Sequence, residues 1–305
     1  MDQKHIFIII LLLSACLFGP SAYAQAPTME EAQAHLQAED WEKAAAAFEA
    51  ILEEDTDNGR AMWLYGSALR QLEQYDKAID IYTKLDATGS PPIVKVNLGE
   101  LYALTGQPDD AFAWLEKATA AGFSSQQTLT SSTALAALQE DERFDEILAQ
   151  ADKNARPCAF SEKHRAFDFW VGEWDVINAQ GQVAGANSIQ KDEQGCLLVE
   201  RWKGSGGGTG MSINYYDPGK EKWVQQWVAS GASVIYLEGE LNEDGAMVLE
   251  GELTNRNGES SPLRGTWTLL PDGRVRQLFE QTTDGGETWA PWFDGYYVRQ
   301  GSGEK

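Results

Sequence analysis

The chain has 305 residues, 43% of them hydrophobic, and its 24 basic and 47 acidic side chains give a formal net charge of −23 at pH 7. Acidic residues outnumber basic ones in both halves of the chain, so the charge belongs to a solvated surface and not to a tail. Such a surface repels polyanions, so we expect neither nucleic acid nor an anionic membrane surface as a partner.

Residues 1–24 have the pattern of an export signal. Lys4 and His5 give a basic start, residues 6–18 are apolar, and Ala22-Tyr23-Ala24 is a small-x-small cleavage site. We therefore predict a periplasmic or secreted mature protein without a transmembrane segment. The alternative is a lipoprotein anchored through Cys16, because the four residues 13–16 resemble a bacterial lipobox.

Residues 27–153 are rich in Ala, Leu and Glu and repeat at intervals of 33 or 34 positions. In each repeat a small residue is followed four positions later by a large apolar one, in the pairs Ala44 and Phe48, Ala78 and Tyr82, and Ala111 and Leu115. This spacing resembles tetratricopeptide repeats, which are helix-turn-helix units that stack into an α-solenoid. A further helix, at about residues 132–152, is predicted to cap the stack.

The resemblance implies a concave groove lined by the first helix of each pair. The positions expected to face this groove are Gln33, Trp63, Ser67, Arg70 and Glu100. We predict that the groove binds a protein partner. Coverage of the groove by the neighbouring domain of the same chain is the alternative.

The composition changes near residue 157, since 22 of the 29 glycines follow it. Residues 154–166 are predicted to be a linker, because Pro157 disfavours a helical conformation at Arg156. Cys158 and Cys196 are the cysteines left after export, and an even number in an oxidising compartment predicts one disulfide instead of two buried thiols. With so few cysteines and histidines, we predict no metal site and no other cofactor.

Residues 167–301 alternate short apolar stretches with glycine-containing turns, such as Asn257-Gly258 and Asp272-Gly273. Such pairs tolerate the positive φ that tight hairpins require. Successive hairpins without a helical crossover predict an antiparallel meander of eight to ten strands. Closure into an up-and-down barrel would remove the exposed edges, and a flattened sandwich is the alternative.

The segment Phe167–Val176 contains Gly172-x-Trp174 and resembles the first strand of a lipocalin-like (calycin-type) β-barrel, as found in uncharacterised bacterial secreted proteins. The resemblance implies that Trp174, beside the small Gly172, plugs one end of the barrel. It also implies that an arginine of the last strand covers this indole, and Arg299 is the candidate. The predicted fold class is therefore two-domain, an α-solenoid followed by a lipocalin-like barrel.

Polar residues recur inside the aromatic-rich strands of the second half, a composition typical of a small-ligand pocket. The candidate ligand-binding residues are Glu200, Trp202, Gln226, Trp227, Gln277, Glu280, Trp292, Asp294 and Tyr296. We predict a non-catalytic binding protein whose barrel takes a small apolar ligand. Two alternatives stay open: an assembly protein of the cell envelope with a filled barrel, and an enzyme that uses a carboxylate pair such as Glu200 and Glu280.

Overall fold

The computed structural model describes residues 26–301, which divide into two compact units. The first unit extends to Ala121 and also includes Ser132–Asp141. The second unit contains Gly122–Ser131 and the chain from Glu142 onward. The predicted signal peptide, including Cys16 and the cleavage site, lies outside the described residues.

The first unit consists mainly of helices that pack against each other in chain order. Their bounds are α1 (Met29–Gln37), α2 (Trp41–Glu54), α3 (Gly59–Gln71), α4 (Tyr75–Ala87), α5 (Ile93–Leu104) and α6 (Pro108–Ala120). Among residues 26–301, every helix is too short or too polar to cross a membrane.

The repeated small residues lie where these helices approach most closely. Ala44, Ala78 and Ala111 are fully buried. A Cβ atom on Gly66 of α3 would lie 2.7 Å from the Tyr82 ring of α4. The repeat therefore has a direct steric cause, because the large aromatic side chain occupies the space that the small residue leaves open.

The predicted capping helix differs in the structure. The chain forms α7 (Gln126–Ser131), a short 3-10 helix (Thr133–Leu138) and α8 (Glu142–Ala155). The 3-10 helix packs against α5, whereas α8 packs against α7 within the second unit. Leu135 and Leu138 are buried three positions apart, a spacing that fits the period of a 3-10 helix as well as that of an α-helix.

The predicted linker, residues 154–166, contains two short helices, α9 (Pro157–Phe160) and α10 (Glu162–Arg165). Arg156 leaves the helical conformation, with φ −131° and ψ 58°, as Pro157 predicts. The predicted disulfide is confirmed: Cys158 and Cys196 are bonded, with Cα atoms 5.0 Å apart.

Within residues 26–301, the second unit has ten antiparallel strands that close into a barrel. The strands are β1 (Gly172–Asn178), β2 (Val183–Asp192), β3 (Leu197–Gly204), β4 (Thr209–Asp217), β5 (Lys222–Ala229), β6 (Val234–Leu241), β7 (Met247–Thr254), β8 (Ser260–Leu269), β9 (Val275–Gln281) and β10 (Ala290–Arg299). Each strand pairs with its neighbours in sequence, and β1 pairs with β10 to close the ring. The closed meander is confirmed, and the flattened sandwich is wrong.

The first strand starts later than the sequence pattern suggested. Residues 168–170 form a 3-10 turn, and β1 begins only at Gly172. Phe167 and Trp170 are fully buried in the core of the barrel. This short turn therefore carries two aromatic side chains into one end of the barrel before the wall begins.

Candidate ligand-binding site

The interior of the barrel is packed at the end where β1 begins. The side chains of Phe167, Trp170, Trp174 and Trp267 are fully buried there. The Phe167 and Trp170 rings are stacked, with centroids 5.0 Å apart, and Trp267 lies against both. This aromatic cluster forms the floor of the barrel.

Trp174 is fixed on this floor by contacts with Trp170 and Arg299. Its indole Nε1 donates a hydrogen bond to the Trp170 carbonyl at 2.9 Å, and the Arg299 guanidinium carbon lies 4.4 Å from its ring centroid. A Cβ atom on Gly172 would lie 2.5 Å from Arg299 Nη1, so glycine leaves the space that this arginine occupies. The three residues that the resemblance assigned to the plug therefore lie together.

Towards the opposite end, the side chains enclose a cavity of about 140 Å³. Six of its ten lining residues are aromatic, namely Trp202, Trp227, Phe279, Trp292, Phe293 and Tyr297. Trp292 is 52% exposed, so the cavity opens to solvent beside it. An apolar cavity of about 150 Å³ holds a molecule the size of benzene, so this cavity has room for a ligand of about one ring.

Glu200 is a nearly fully buried carboxyl that lines this cavity. Asn187 Nδ2 donates a hydrogen bond to Glu200 Oε1 at 2.7 Å, and the Ser212 hydroxyl donates to Oε2 at 2.6 Å. Asn187 Nδ2 also lies 3.1 Å from the Tyr297 hydroxyl, which donates to Gln277 Oε1. The carboxyl is thus held in place from both neighbouring strands.

The same hydrogen-bond network continues away from Glu200 along the barrel wall. Asn214 Nδ2 donates to Ser212 Oγ at 2.8 Å, and Gln225 Nε2 donates to Asn214 Oδ1 at 2.9 Å. All of these side chains are buried. The network therefore joins side chains of β2, β3, β4, β5, β9 and β10.

The protonation of Glu200 is shifted by its surroundings. Burial raises the pKa of the Glu200 carboxyl to about 7, although hydrogen bonds from Ser212 and Asn187 oppose this rise. Burial also raises the pKa of Tyr297 well above its usual value, and the nearby Glu200 adds to that effect. Among residues 26–301, the side chains lining the cavity include no lysine or arginine. Near neutral pH the cavity therefore presents a carboxyl without a basic partner.

Five of the nine residues predicted to bind a ligand line this cavity, namely Glu200, Trp202, Trp227, Gln277 and Trp292. The other four, Gln226, Glu280, Asp294 and Tyr296, do not line it. Successive side chains of a strand point to opposite faces, so Gln226 and Trp227 cannot both face inward. The inward glutamine of β5 is Gln225, which lies two positions from Trp227.

The outward residues make contacts on the outer face of the wall. Glu280 forms an ion pair with Arg264 at 2.9 Å. Asp294 pairs with Arg276 at 2.8 Å. Gln226 Nε2 lies 3.4 Å from the Tyr215 hydroxyl. These contacts account for the polar side chains of Gln226, Glu280 and Asp294, so no ligand is needed to explain why polar residues occur in these strands.

An irregularity in β10 explains why Asp294 and Tyr296 do not line the cavity. The register between β10 and β9 shifts between Pro291 and Phe293, so Phe293 and Tyr297 face inward while Asp294 and Tyr296 do not. Trp292 still reaches the mouth of the cavity. Strand alternation counted from Trp292 therefore gives the wrong face after the bulge.

Several residues of the site were missed from the sequence. The cavity lining also contains Gln225, Ile235, Phe279, Phe293 and Tyr297, and the network adds Asn187, Ser212 and Asn214. Trp174 could have been used to find two of these residues. Asn187 is paired with Trp174 between β1 and β2. Tyr297 is two positions before Arg299, which is paired with Trp174 between β1 and β10, so both face the same side of the wall. The remaining residues could be predicted only from the pairing of strands in which no residue like Trp174 shows which face points inward.

The two carboxylates named for the enzyme alternative do not share a site. Glu200 lines the cavity, whereas Glu280 is paired with Arg264 on the other face of the wall. A general acid and a general base must reach the same substrate. The two carboxyls are therefore unable to act as a catalytic pair.

In the first unit, the five residues predicted to face the groove differ in how far they are exposed to a partner. Gln33, Trp63 and Ser67 are partly exposed. Arg70 of α3 forms an ion pair with Glu100 of α5, and the Ser132 hydroxyl also donates to Glu100. Glu100 is buried, so its carboxylate joins elements of the repeat stack and is not open to a partner.

Part of the chain matches a known protein family. Residues 29–92 match the model of a tetratricopeptide repeat. The N-terminal helical region is thus a TPR-like region, and it is followed by the closed barrel of ten strands seen within residues 26–301. No curated protein matches the chain.

Several solved structures are similar to part of the chain. PcrH in complex with the chaperone binding region of PopB is 18% identical, with a TM-score of 0.29 over 40% of this chain and 87% of that chain. The type III secretion translocator chaperone SycD of Yersinia enterocolitica, in its alternative dimer, is 20% identical, with a TM-score of 0.29 over 39% of this chain and 85% of that chain. MamA is 18% identical, with a TM-score of 0.35 over 43% of this chain and 78% of that chain.

Proposed function

We propose that this is a non-catalytic, exported binding protein. Its barrel takes a small, largely apolar ligand, and its TPR-like region binds a protein partner. The observation that carries the first part is the aromatic cavity of about 140 Å³, which opens beside Trp292 and contains the buried Glu200. Aromatic walls with a few fixed polar groups are typical of small-ligand sites.

The alternative of a completely filled barrel agrees less well with this arrangement. Side chains fill the floor around Trp174, but the half nearer Trp292 keeps space for about one ring. A barrel with a filled floor and an open cavity supports a lipocalin-like assignment. The contacts among Gly172, Trp174 and Arg299 support it as well. The volume favours a ligand much smaller than a lipid or a haem group.

The pocket is tested with toluene, a single apolar ring, whose binding is followed by ligand-observed NMR and by tryptophan fluorescence. We expect Trp292→Ala to weaken toluene binding by about threefold to tenfold, since stacking on one ring contributes about 0.5–1.5 kcal/mol. The fold should survive, because Trp292 is half exposed.

Trp289→Ala is the matched control. Trp289 lies three positions before Trp292, but its ring packs against the Arg264 guanidinium at 4.4 Å and does not line the cavity. This variant should bind toluene like the wild type. Toluene binding that Trp292→Ala leaves unchanged, or equal losses in both variants, would show that the cavity is not the binding site.

The proposed protein partner rests on the tetratricopeptide match and on the partly exposed Trp63 and Ser67. A photo-crosslinking residue at Ser67 should give one discrete adduct in the cell envelope. The same residue at Asp80, an exposed position of α4 outside the predicted groove, should not. Adducts of equal yield from both positions would mean that the predicted groove is not the binding surface.

Export to the periplasm or beyond is part of the same proposal. It is supported by the disulfide between Cys158 and Cys196, because such bonds persist in oxidising compartments. The signal-like pattern of residues 1–24 points in the same direction.

A further inference from the structure

The cavity has an aromatic wall that favours positive charge. The rings of Trp202, Trp227, Phe279, Trp292 and Phe293 surround the space above Glu200. The face of an aromatic ring is the negative part of its quadrupole, so it attracts a cation that lies within about 6 Å of the ring centroid. Four of the five rings are partly shielded from water or buried, which strengthens this attraction.

Within the described residues, the carboxyl group of the cavity lining, Glu200, has no basic side chain as a partner. Within residues 26–301, the groups bound to Glu200 are the neutral side chains of Asn187 and Ser212, and no basic side chain perturbs it. A buried carboxylate without a counter-ion is costly. Asn187 Oδ1, next to this carboxyl, is also buried and has no hydrogen-bond partner in the described chain. Both features place negative charge density beside the cavity and leave it uncompensated.

The chemistry of the cavity distinguishes among classes of ligand. A carboxylate or phosphate would bring a second negative charge next to Glu200, with no arginine or lysine in the lining to offset it. A neutral hydrocarbon would fill the space but leave the carboxyl desolvated. A small cation satisfies the aromatic wall and Glu200 together.

On the basis of the proposed ligand-binding function, we propose that the ligand of the barrel is a small organic cation. Its charged group, an ammonium or a similar cation, pairs with Glu200, and its apolar body lies among the tryptophan and phenylalanine rings. The cavity of about 140 Å³ limits that body to about one ring or a short branched chain.

The pH response follows from the groups around Glu200. The side chains facing it are Asn187 from β2, Ser212 from β4 and, through the network, Tyr297 from β10 and Gln277 from β9. Tyr297 is the titratable member, and its pKa lies far above neutral. Burial raises the pKa of Glu200 to about 7 in the free protein. Affinity for a permanent cation should therefore increase as the pH rises from about 5.5 to 8.

The test compares N-methylpyridinium with toluene, which has the same shape without the charge. We expect the wild type to bind N-methylpyridinium at least about tenfold more tightly than toluene at pH 8, measured by NMR titration. Glu200→Gln should reduce the affinity for the cation by at least about tenfold and leave toluene binding unchanged. Retained toluene binding also shows that the variant pocket is intact.

Glu280→Gln is the control, because it removes the same charge from the outer face of the wall. It should leave the binding of both probes unchanged. If the wild type binds toluene as tightly as the cation, or if Glu200→Gln keeps the cation, the ligand is not a cation although the cavity still binds ligands. If neither probe enters the wild type, the ligand-binding function fails as well. Should Glu200→Gln not fold, a cation affinity of the wild type that does not change between pH 5.5 and 8 would overturn the proposal.

Discussion

Replacing Trp174 with alanine is expected to lower the free energy of unfolding of the barrel by about 3–5 kcal/mol, the usual range for removing a buried tryptophan. The indole is fully buried, donates to the Trp170 carbonyl and packs edge-on to Tyr297 with centroids 6.1 Å apart. Its removal would also leave Arg299 without the aromatic face that it covers. Urea denaturation followed by near-ultraviolet circular dichroism measures this loss.

Trp292→Ala is the comparison for that measurement. It removes a tryptophan side chain from the half-exposed mouth of the same barrel. The free energy of unfolding should therefore decrease by less than about 1.5 kcal/mol. If Trp174→Ala were no less stable than Trp292→Ala, the floor of the barrel would not be a structural plug.

Glu200→Gln is expected to make the protein more stable at pH 8 and to remove part of its pH dependence. The wild-type carboxyl has a pKa of about 7 when folded, against 4.5 for the unperturbed group. Between these pH values the folded protein holds a proton that the unfolded chain has lost, so the stability of the wild type decreases as the pH rises. A shift of this size corresponds to about 3 kcal/mol, since each pKa unit is about 1.4 kcal/mol.

The measurement is urea unfolding of both proteins at pH 5 and pH 8 without ligand. Glutamine can keep the hydrogen bonds with Asn187 and Ser212, so the variant should lack the decrease that Glu200 causes. Glu280→Gln should retain the wild-type decrease, because Glu280 pairs with Arg264 on the outer face. An identical pH dependence in the wild type and Glu200→Gln would mean that Glu200 is not desolvated in the folded protein.

The sequence predicted those parts of the fold that depend on local periodicity. The spacing of Ala44, Ala78 and Ala111 indicates where helices pack closely, and all three side chains are buried. The glycine-containing turns indicate successive hairpins, which close into a barrel. The capping segment was harder to predict, because Leu135 and Leu138 fit two helical periods.

The candidate site was predicted only in part because one strand position decides the face of a side chain. Gln225 and Gln226 are chemically identical, and only the register of β5 identifies Gln225 as the inward one. In β10, the bulge near Pro291 changes the alternation, which turns Tyr297 inward instead of Tyr296. Ser212 lies in a strand without a tryptophan, so nothing in its local sequence marked it as a neighbour of Glu200. Asn187 could be placed only through its pairing with Trp174.

The bond between Cys158 and Cys196 joins positions 38 residues apart, one before β1 and one after β2. A protease that cuts the chain once between these two cysteines, for example in the exposed turn at residues 179–182, would leave both fragments covalently attached. The repeats would then separate from the barrel on a denaturing gel only after thiol treatment. A single cut between these two cysteines is thus insufficient, in an oxidising environment, to separate the two fragments.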